Sequence, residues 1–230
     1  MTKKDVIALL KKNSNERGVA AWKRIDPTGG EWSSYGIGLT TLKKLAKQIG
    51  RDHTLALQMW EEKNFDCKVM ATLVEDHSQV TEQQVERQVS EVGYWLMAHS
   101  YCQSLMSGVP FRRAKCEEWI GSEDHVRRRC GYLLLAGLAG KDKSLPDSYF
   151  EPHIETIEQG LQSEENFVRD AMNNALYAIG CRSKKLHTRA LAAAKKIGRV
   201  EVDYGDNSCQ AVDVVKHLTS DRIKAKLAGR

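Results

Sequence analysis

The sequence predicts an all-α fold in which helix pairs stack into a superhelix, or solenoid. Three observations support this class: apolar residues recur at helical spacing along most of the chain, only four prolines interrupt 230 residues, and the connections are short. Hydrophobic residues make up 41% of the chain and charged residues 28%, which is ordinary for a soluble protein with a sizeable core.

The helices can be placed from their apolar periodicity and their end signals. The segment from Leu39 to Ile49 is amphipathic, with lysines opposite its leucines, and Gly50 ends it. Asp52 is placed to cap the next helix, and the run 81–84, Thr-Glu-Gln-Gln, is a capping box. Helices are predicted over residues 37–49, 52–60, 64–74, 81–92, 95–106, 111–120, 123–139, 149–161, 164–180, 184–198 and 208–218, after an N-terminal helical pair and a loop over 26–34.

Internal repetition favours a solenoid. The run 122–127, Ser-Glu-Asp-His-Val-Arg, resembles 163–169, Ser-Glu-Glu-Asn-Phe-Val-Arg, and the two Val-Arg pairs lie 42 residues apart. That interval is typical of HEAT-type helix pairs. No linker or composition shift divides the chain, so we expect a single HEAT-like domain over 1–230, with the N-terminal pair and loop at 1–34 and the repeats at 35–230.

Several classes of protein are disfavoured. The six cysteines are dispersed without a metal-ligand spacing, which indicates a reducing cytoplasm, and no segment reads as a signal peptide or membrane span. Walker A, dinucleotide-binding, H-E-x-x-H and serine-elbow motifs are absent. We therefore expect a cytoplasmic protein, a monomer, without a cofactor or metal.

The basic residues indicate a polyanionic partner more by their clustering than by the net charge of +5. Arg127, Arg128 and Arg129 point about 100° apart on a helix, so at least one must face inward or sideways. An inward arginine needs an anion, and a phosphate group would suit it. We predict a concave basic face that holds a nucleic-acid backbone. Similar clusters stand at Lys43/Lys44/Lys47, Arg112/Arg113/Lys115, Arg182/Lys184/Lys185 and Lys195/Lys196.

Several segments together resemble the DNA alkylation repair glycosylases of the AlkD type. The most specific is the run 35–50, Tyr-Gly-Ile-Gly-Leu-Thr-Thr-Leu-Lys-Lys-Leu-Ala-Lys-Gln-Ile-Gly, followed by segments 53–60, 64–73, 126–132 and 166–180. The resemblance runs from about residue 35 to the C-terminus. It implies HEAT-like repeats that hold duplex DNA on their concave face and, in active members, release of cationic alkylpurines such as 3-methyladenine and 7-methylguanine.

The resemblance also implies a catalytic centre, which this chain matches only in part. The family centre combines a Trp, an acidic residue four positions later, a second Trp on a later helix and an Arg. Trp95 matches the first Trp, but His99 stands at the acidic position and Asn174 where the second Trp is expected. Arg129 matches the family Arg, with Arg128 beside it.

The substitution of His99 bears on the chemistry, because loss of a cationic purine leaves an oxocarbenium-like sugar that a carboxylate stabilises. A neutral imidazole carries no negative charge, and an imidazolium would repel the departing cation. The carboxylates of Glu91, Glu123 and Asp124 are the candidates for a substitute. We expect glycosylase activity that is weak or absent.

Three functions remain open at this stage. The leading one is DNA binding, to duplex or to distorted or branched DNA, without a membrane association. The second is an active alkylpurine glycosylase with altered catalytic residues, and the third is a protein-interaction scaffold. The residues expected to contact DNA are Arg128, Arg129, Trp95, His99, Arg169, Lys43, Lys44, Lys184 and Lys185.

Overall fold

The computed structural model describes residues 1–25 and 27–229, which divide into two compact units. Unit 1 comprises Met1–Phe111 with Gly205–Asn207, and unit 2 comprises Arg112–Tyr204 with Ser208–Arg230. The described part of both units is helical, apart from one isolated bridge between Ser33 and Asn64. Asp26, the first residue of the loop predicted at 26–34, lies outside the described residues.

Unit 1 begins with two short amphipathic helices, α1 (Lys3–Lys12) and α2 (Glu16–Ile25). A reciprocal capping box opens α1, in which Thr2 and Asp5 bond to each other's backbone amides. The turn at Gly36 holds α2 in place, because its backbone approaches Gly18 so closely that a Cβ on Gly18 would lie 2.1 Å from the Gly36 carbonyl oxygen. Gly36 itself has φ +70°, a conformation that favours glycine.

Three further helices follow as their sequence signals predict: α3 (Leu39–Ile49), α4 (His53–Trp60) and α5 (Phe65–Val74). Asp52 and Asn64 cap α4 and α5 by accepting amide hydrogen bonds from Leu55 and Cys67 at 2.9 and 3.1 Å. The helix α5 lies at the centre of the unit, where α1, α3 and α4 pack against it, and nearly all its side chains are buried.

The remainder of unit 1 departs from regular helix in two places. The helix α6 (Glu82–Val89) has half of the predicted capping box: the Thr81 hydroxyl accepts from the Gln84 amide, but the Gln84 side chain donates to Glu75 instead of returning to the cap. The predicted helix at 95–106 is α7 (Trp95–Ser100), continued by a wide π-helical turn over Tyr101–Leu105 and a tight 3-10 turn over Met106–Gly108.

Unit 2 contains the repeated helix pairs. It comprises α8 (Arg112–Ile120), α9 (His125–Lys141), α10 (Asp147–Gly160), α11 (Asn166–Gly180), α12 (Lys184–Ile197), α13 (Val214–Leu218) and α14 (Asp221–Ala228). The helices α9, α11 and α13 pack side by side, with α8 against α9 and with α10 and α12 against α11 and each other. The two Val-Arg pairs of the sequence repeat thus belong to neighbouring helices.

Two boundaries near the C-terminus differ from the sequence prediction. The helix predicted over 208–218 begins only at Val214, because Asp213 is the residue that caps it, accepting from the Lys216 amide at 2.9 Å. The helix α14 lies beyond the last predicted helix, although Ile223 and Leu227, its buried residues, stand four residues apart at helical spacing. Within the described chain, no helix combines the length and apolar character needed to cross a bilayer.

Candidate nucleic-acid interface

A row of aromatic rings crosses unit 1 and ends at Trp95 and His99. Trp22 stacks on Phe65 with ring centroids 5.0 Å apart, and Tyr94 meets both rings edge-on at 5.4 and 5.5 Å. Trp95 lies 6.0 Å from Tyr94 and 6.3 Å from His99, whose ring is perpendicular to the indole. Trp95 and His99 are both partly exposed on successive turns of α7. They therefore share one helical face, as their spacing predicts.

A buried lysine lies between two tryptophans in the same unit. The Nζ atom of Lys68 is 4.8 Å from the ring centre of Trp32 and 4.9 Å from that of Trp60. It donates to the Trp60 carbonyl at 2.6 Å and forms an ion pair with Glu91 at 2.7 Å. Although Lys68 is 3% exposed, its charge is compensated on every side.

The ion pair with Lys68 also limits the stabilisation that the Glu91 carboxylate could give to a sugar cation. Glu91 lies in the connection after α6, outside both α6 and α7, so it does not share a helical face with Trp95. Its carboxylate already faces an ammonium group at 2.7 Å. A carboxylate neutralised in this way offers little stabilisation to a developing sugar cation.

The lysines predicted to contact DNA on α3 are exposed. Lys43 and Lys44 point into solvent with Lys47, opposite the buried Leu42 and Leu45. This arrangement follows from the helical period, which places the lysines and the leucines on different faces.

The arginine triplet of α9 is in contact with protein groups. Arg127 forms an ion pair with Asp124 at 3.2 Å, and Arg129, 4% exposed, lies over the Phe167 ring at 5.7 Å. Arg128 binds both carboxylate oxygens of Glu164, each at 2.9 Å. The anion that an inward arginine requires is therefore Glu164 for Arg128, and these hydrogen bonds raise the Arg128 pKa above its usual range.

A buried carboxylate lies one helical turn before Asn174 on α11. Asp170 accepts hydrogen bonds from the Tyr204 hydroxyl at 2.7 Å and from the Asn174 side-chain amide at 2.9 Å. Burial, followed by this contact with Asp170, raises the Tyr204 pKa, so the phenol stays protonated and donates. The Tyr204 ring also lies 6.2 Å from Phe167.

Three arginines of unit 2 bind backbone carbonyls in the turns between helices or in the last turn of a helix. Arg128 donates to the carbonyls of Ser122 and Glu123 at 2.8 and 3.1 Å. Arg169 and Arg182 also donate to backbone carbonyls, at other places in unit 2. Arg169 bonds to the Glu164 and Glu201 carbonyls, both at 3.0 Å, and Arg182 to those of Ala139 and Leu145. We call these residues the turn arginines.

The structure gathers only some of the predicted DNA-contact residues of unit 2. Arg128, Arg129 and Arg169 lie at the N-terminal ends of α9 and α11, linked through Glu164 and Phe167, and Asn174 is one turn along from Asp170. Lys184 and Lys185 lie at the start of α12, which is the opposite end of the unit because α12 runs back along α11. Lys185 pairs there with Glu151 at 2.6 Å.

Arg128 is expected to contribute mainly to stability. Replacing Arg128 by alanine removes a bidentate ion pair and two backbone hydrogen bonds that are only about one-fifth exposed, and should lower the unfolding free energy by about 2 kcal/mol. Urea denaturation measures this value. Arg199→Ala, at a side chain 87% exposed, is the matched control and should change it by less than about 0.5 kcal/mol. Equal losses in both variants would contradict the assignment.

These features define a class: an all-α protein of HEAT-like helix pairs, with the partly exposed rings of Trp95 and His99 on one unit and a cluster of arginines on the other. The family model described as DNA alkylation repair enzyme matches residues 6–205, so the chain belongs to that family. A solved structure, described as a new family of proteins related to the HEAT-like repeat DNA glycosylases with affinity for branched DNA structures, superposes with a TM-score of 0.84. It shares 21% identity over 99% of this chain and 96% of its own.

Two bacterial relatives have similar lengths. An uncharacterized protein of Listeria innocua is 27% identical over 191 residues, which cover 82% of this chain and 83% of the relative. An uncharacterized protein of Listeria monocytogenes is 24% identical over 195 residues, covering 84% and 85%. The likeness therefore spans most of each chain.

Proposed function

We propose that this protein binds DNA, with a preference for branched over plain duplex DNA, and that its alkylpurine glycosylase activity is weak or absent. The carrying observation is the pair formed on α7, where the side chain one turn beyond Trp95 is an imidazole that lies perpendicular to the indole. A partly exposed indole can stack on a base or a deoxyribose, but an imidazole supplies no negative charge to the reaction.

Two other carboxylates, one in each unit, are already engaged by protein groups, which supports a low activity. Glu91 is neutralised by Lys68 in unit 1, and in unit 2 Asp170 already accepts hydrogen bonds from Tyr204 and Asn174. A missing charge stabiliser commonly lowers a rate by roughly 10²–10³-fold. An enzyme reduced by this factor would release 7-methylguanine far more slowly than one that retains the carboxylate.

The preference for branched DNA rests on the affinity for branched DNA structures described for the structural neighbour, and on the partly exposed rings of Trp95 and His99. A junction presents bases that have lost a stacking partner, and Trp95 is partly exposed beside His99. Stacking on an aromatic side chain contributes about 1–3 kcal/mol per base. Lys43 and Lys44 would contact phosphates, whereas Arg128 would do so only by exchanging Glu164 for a phosphate.

The expected result is tighter binding to a four-way junction than to a duplex of equal length. Fluorescence anisotropy across a salt series should give a log–log slope of about −0.9 per phosphate contacted. Trp95→Ala should weaken junction binding by about tenfold, and Leu96→Ala, at the neighbouring exposed position, should leave it unchanged. Absence of binding at low salt would overturn the proposal.

The glycosylase part is tested separately with duplex DNA that contains 7-methylguanine. We expect base release at the spontaneous rate for the wild type. Release clearly above that rate, and abolished in Trp95→Ala, would instead assign an enzymatic function to this chain.

A further inference from the structure

The positive charge of this protein is concentrated at its N-terminus. The first 50 residues contain ten Lys and Arg against four Asp and Glu, whereas the remaining 180 contain 25 and 26. The formal net charge of +5 therefore arises entirely before residue 51. A local excess of this kind produces a stronger field than the same charge spread over the surface.

The excess lies on the outward faces of α1 and α2. Lys4, Lys11 and Lys12 are exposed on α1, and Arg17 and Lys23 are exposed on α2. We call these five residues the N-terminal basic surface.

The spacing of these residues joins the two helices into one surface. Lys4 and Lys11 stand two turns apart, about 10 Å along the helix. Lys12 and Arg17 flank the short connection between α1 and α2, so at most about 18 Å of chain separates them. The acidic residues of the two helices are Asp5, which is engaged in the Thr2 capping box, and Glu16.

The cations of the N-terminal basic surface differ from those of the other helices. On α12, Lys185, Arg189 and Lys196 are all paired with glutamates of α10 at 2.5–2.7 Å. In the described part of α1 and α2, the ion pairs that the structure records involve Lys3, with Glu62, and Arg24, with Asp206. The five cations of the surface face solvent.

An anionic membrane is a weaker candidate for the partner than a nucleic acid. A helix that binds a bilayer surface must insert an apolar face. The apolar faces of α1 and α2 are already occupied: Val6 and Leu10 are fully buried, and Trp22 stacks on Phe65. The residues of α1 and α2 that remain exposed are mainly cationic and offer little apolar surface. Such a surface suits phosphates along a nucleic-acid backbone.

We propose that the N-terminal basic surface is a DNA-phosphate contact surface, additional to the residues predicted from the family resemblance. This inference rests on the proposed DNA binding and specifies where part of its salt-dependent affinity originates. It assigns the contacts to exposed cations of α1 and α2, separate from Trp95 and His99 on α7.

The test replaces three cations on each of two surfaces and measures binding of the full chain to a four-way junction. The first variant carries Lys4→Gln, Lys11→Gln and Lys12→Gln. The control carries Lys143→Gln, Lys216→Gln and Lys226→Gln, three exposed lysines of unit 2, so that both variants lose the same charge. Melting curves confirm that both remain folded, because loss of cations near a helix end costs only some tenths of a kcal/mol.

We expect the first variant to lose affinity by roughly tenfold or more and to reduce the salt slope by about two units, while the control keeps the wild-type slope. A separate variant that carries Arg17→Gln and Lys23→Gln should itself reduce the salt slope by about one to two units. Equal changes in the first variant and the control, or no change in either, would overturn the inference while leaving DNA binding itself established.

Two other outcomes are also decisive. A wild-type protein that fails to bind the junction at low salt would remove both the proposed function and this inference. If the first variant binds DNA like the wild type but loses binding to vesicles containing phosphatidylserine, the surface belongs to a membrane contact and the inference is wrong.

Discussion

Replacing Lys68 by alanine is expected to lower the unfolding free energy by about 2–3 kcal/mol, because a buried side chain loses its hydrogen bond, its ion pair and the packing of its stem. The change eliminates the hydrogen bond to the Trp60 carbonyl, the ion pair with Glu91 and two cation–π contacts. The Trp60 carbonyl then loses its ammonium donor in a site where the lysine side chain is only 4% exposed.

The control for Lys68 is Lys63→Ala, because Lys63 is 74% exposed and pairs loosely with Glu31 at 3.6 Å. In a urea titration, the unfolding free energy of Lys63→Ala should differ from that of the wild type by less than about 0.5 kcal/mol. Lys68→Met separates the packing of the lysine stem from the interactions of its ammonium group, because methionine retains an apolar stem without the charge. The unfolding free energy should therefore fall less in Lys68→Met than in Lys68→Ala. Similar values for Lys68→Ala and Lys63→Ala would show that the tryptophan pair does not stabilise the ammonium.

Asp66→Ala is expected to have a comparable effect, about 3 kcal/mol, for a different reason. The carboxylate is fully buried and accepts from the amides of Tyr35 and Ile37 at 2.7 and 3.0 Å and from the Ser34 hydroxyl at 2.7 Å. Its removal leaves backbone donors buried without an acceptor, each costing about 1–3 kcal/mol. These bonds hold the segment around Gly36 against α5, the helix that carries Asp66.

The comparison for Asp66 is Asp52→Ala, which removes one cap bond at 2.9 Å and should cost about 1 kcal/mol. Chemical denaturation gives both values. Amide hydrogen exchange adds a local readout, because the Tyr35 and Ile37 amides should lose protection in Asp66→Ala and retain it in Asp52→Ala. Unchanged protection of these two amides would contradict the assigned role of the carboxylate.

The fold of this protein was largely predictable because its signals are local. The limits of α3, α4 and α5 follow from Gly50, Asp52 and Asn64, each of which acts within four residues of the helix end that it marks. The π-helical turn over Tyr101–Leu105 was not predictable, since its apolar residues fit an ordinary helix equally well. Its wider hydrogen bonding depends on what packs against it.

The candidate interface was less predictable than the fold. The shared face of Trp95 and His99 follows from their separation of four residues. The engagement of Arg128 by Glu164 does not, because 36 residues separate them and only folding brings them together. A guanidinium group binds a carboxylate and a phosphate in the same bidentate geometry, so the sequence alone cannot distinguish the two partners.

The N-terminal basic surface could have been detected from the sequence by dividing the charge along the chain. The net charge of +5 is unremarkable as a single number, but its confinement to the first 50 residues is not. Basic residues that are adjacent in sequence, such as Arg127, Arg128 and Arg129, are easily recognised as a cluster. Exposed cations two helical turns apart are not adjacent in sequence, so the surface that they share is harder to recognise.

The turn arginines have a consequence for how this chain can diverge. The groups that they bind in the connections are largely main-chain carbonyls, which every amino acid provides. Substitutions in these connections, Glu164 excepted, therefore leave the acceptors in place, whereas inserted or deleted residues would move them out of reach. Drift in residue identity should be tolerated there, and a change in loop length should not.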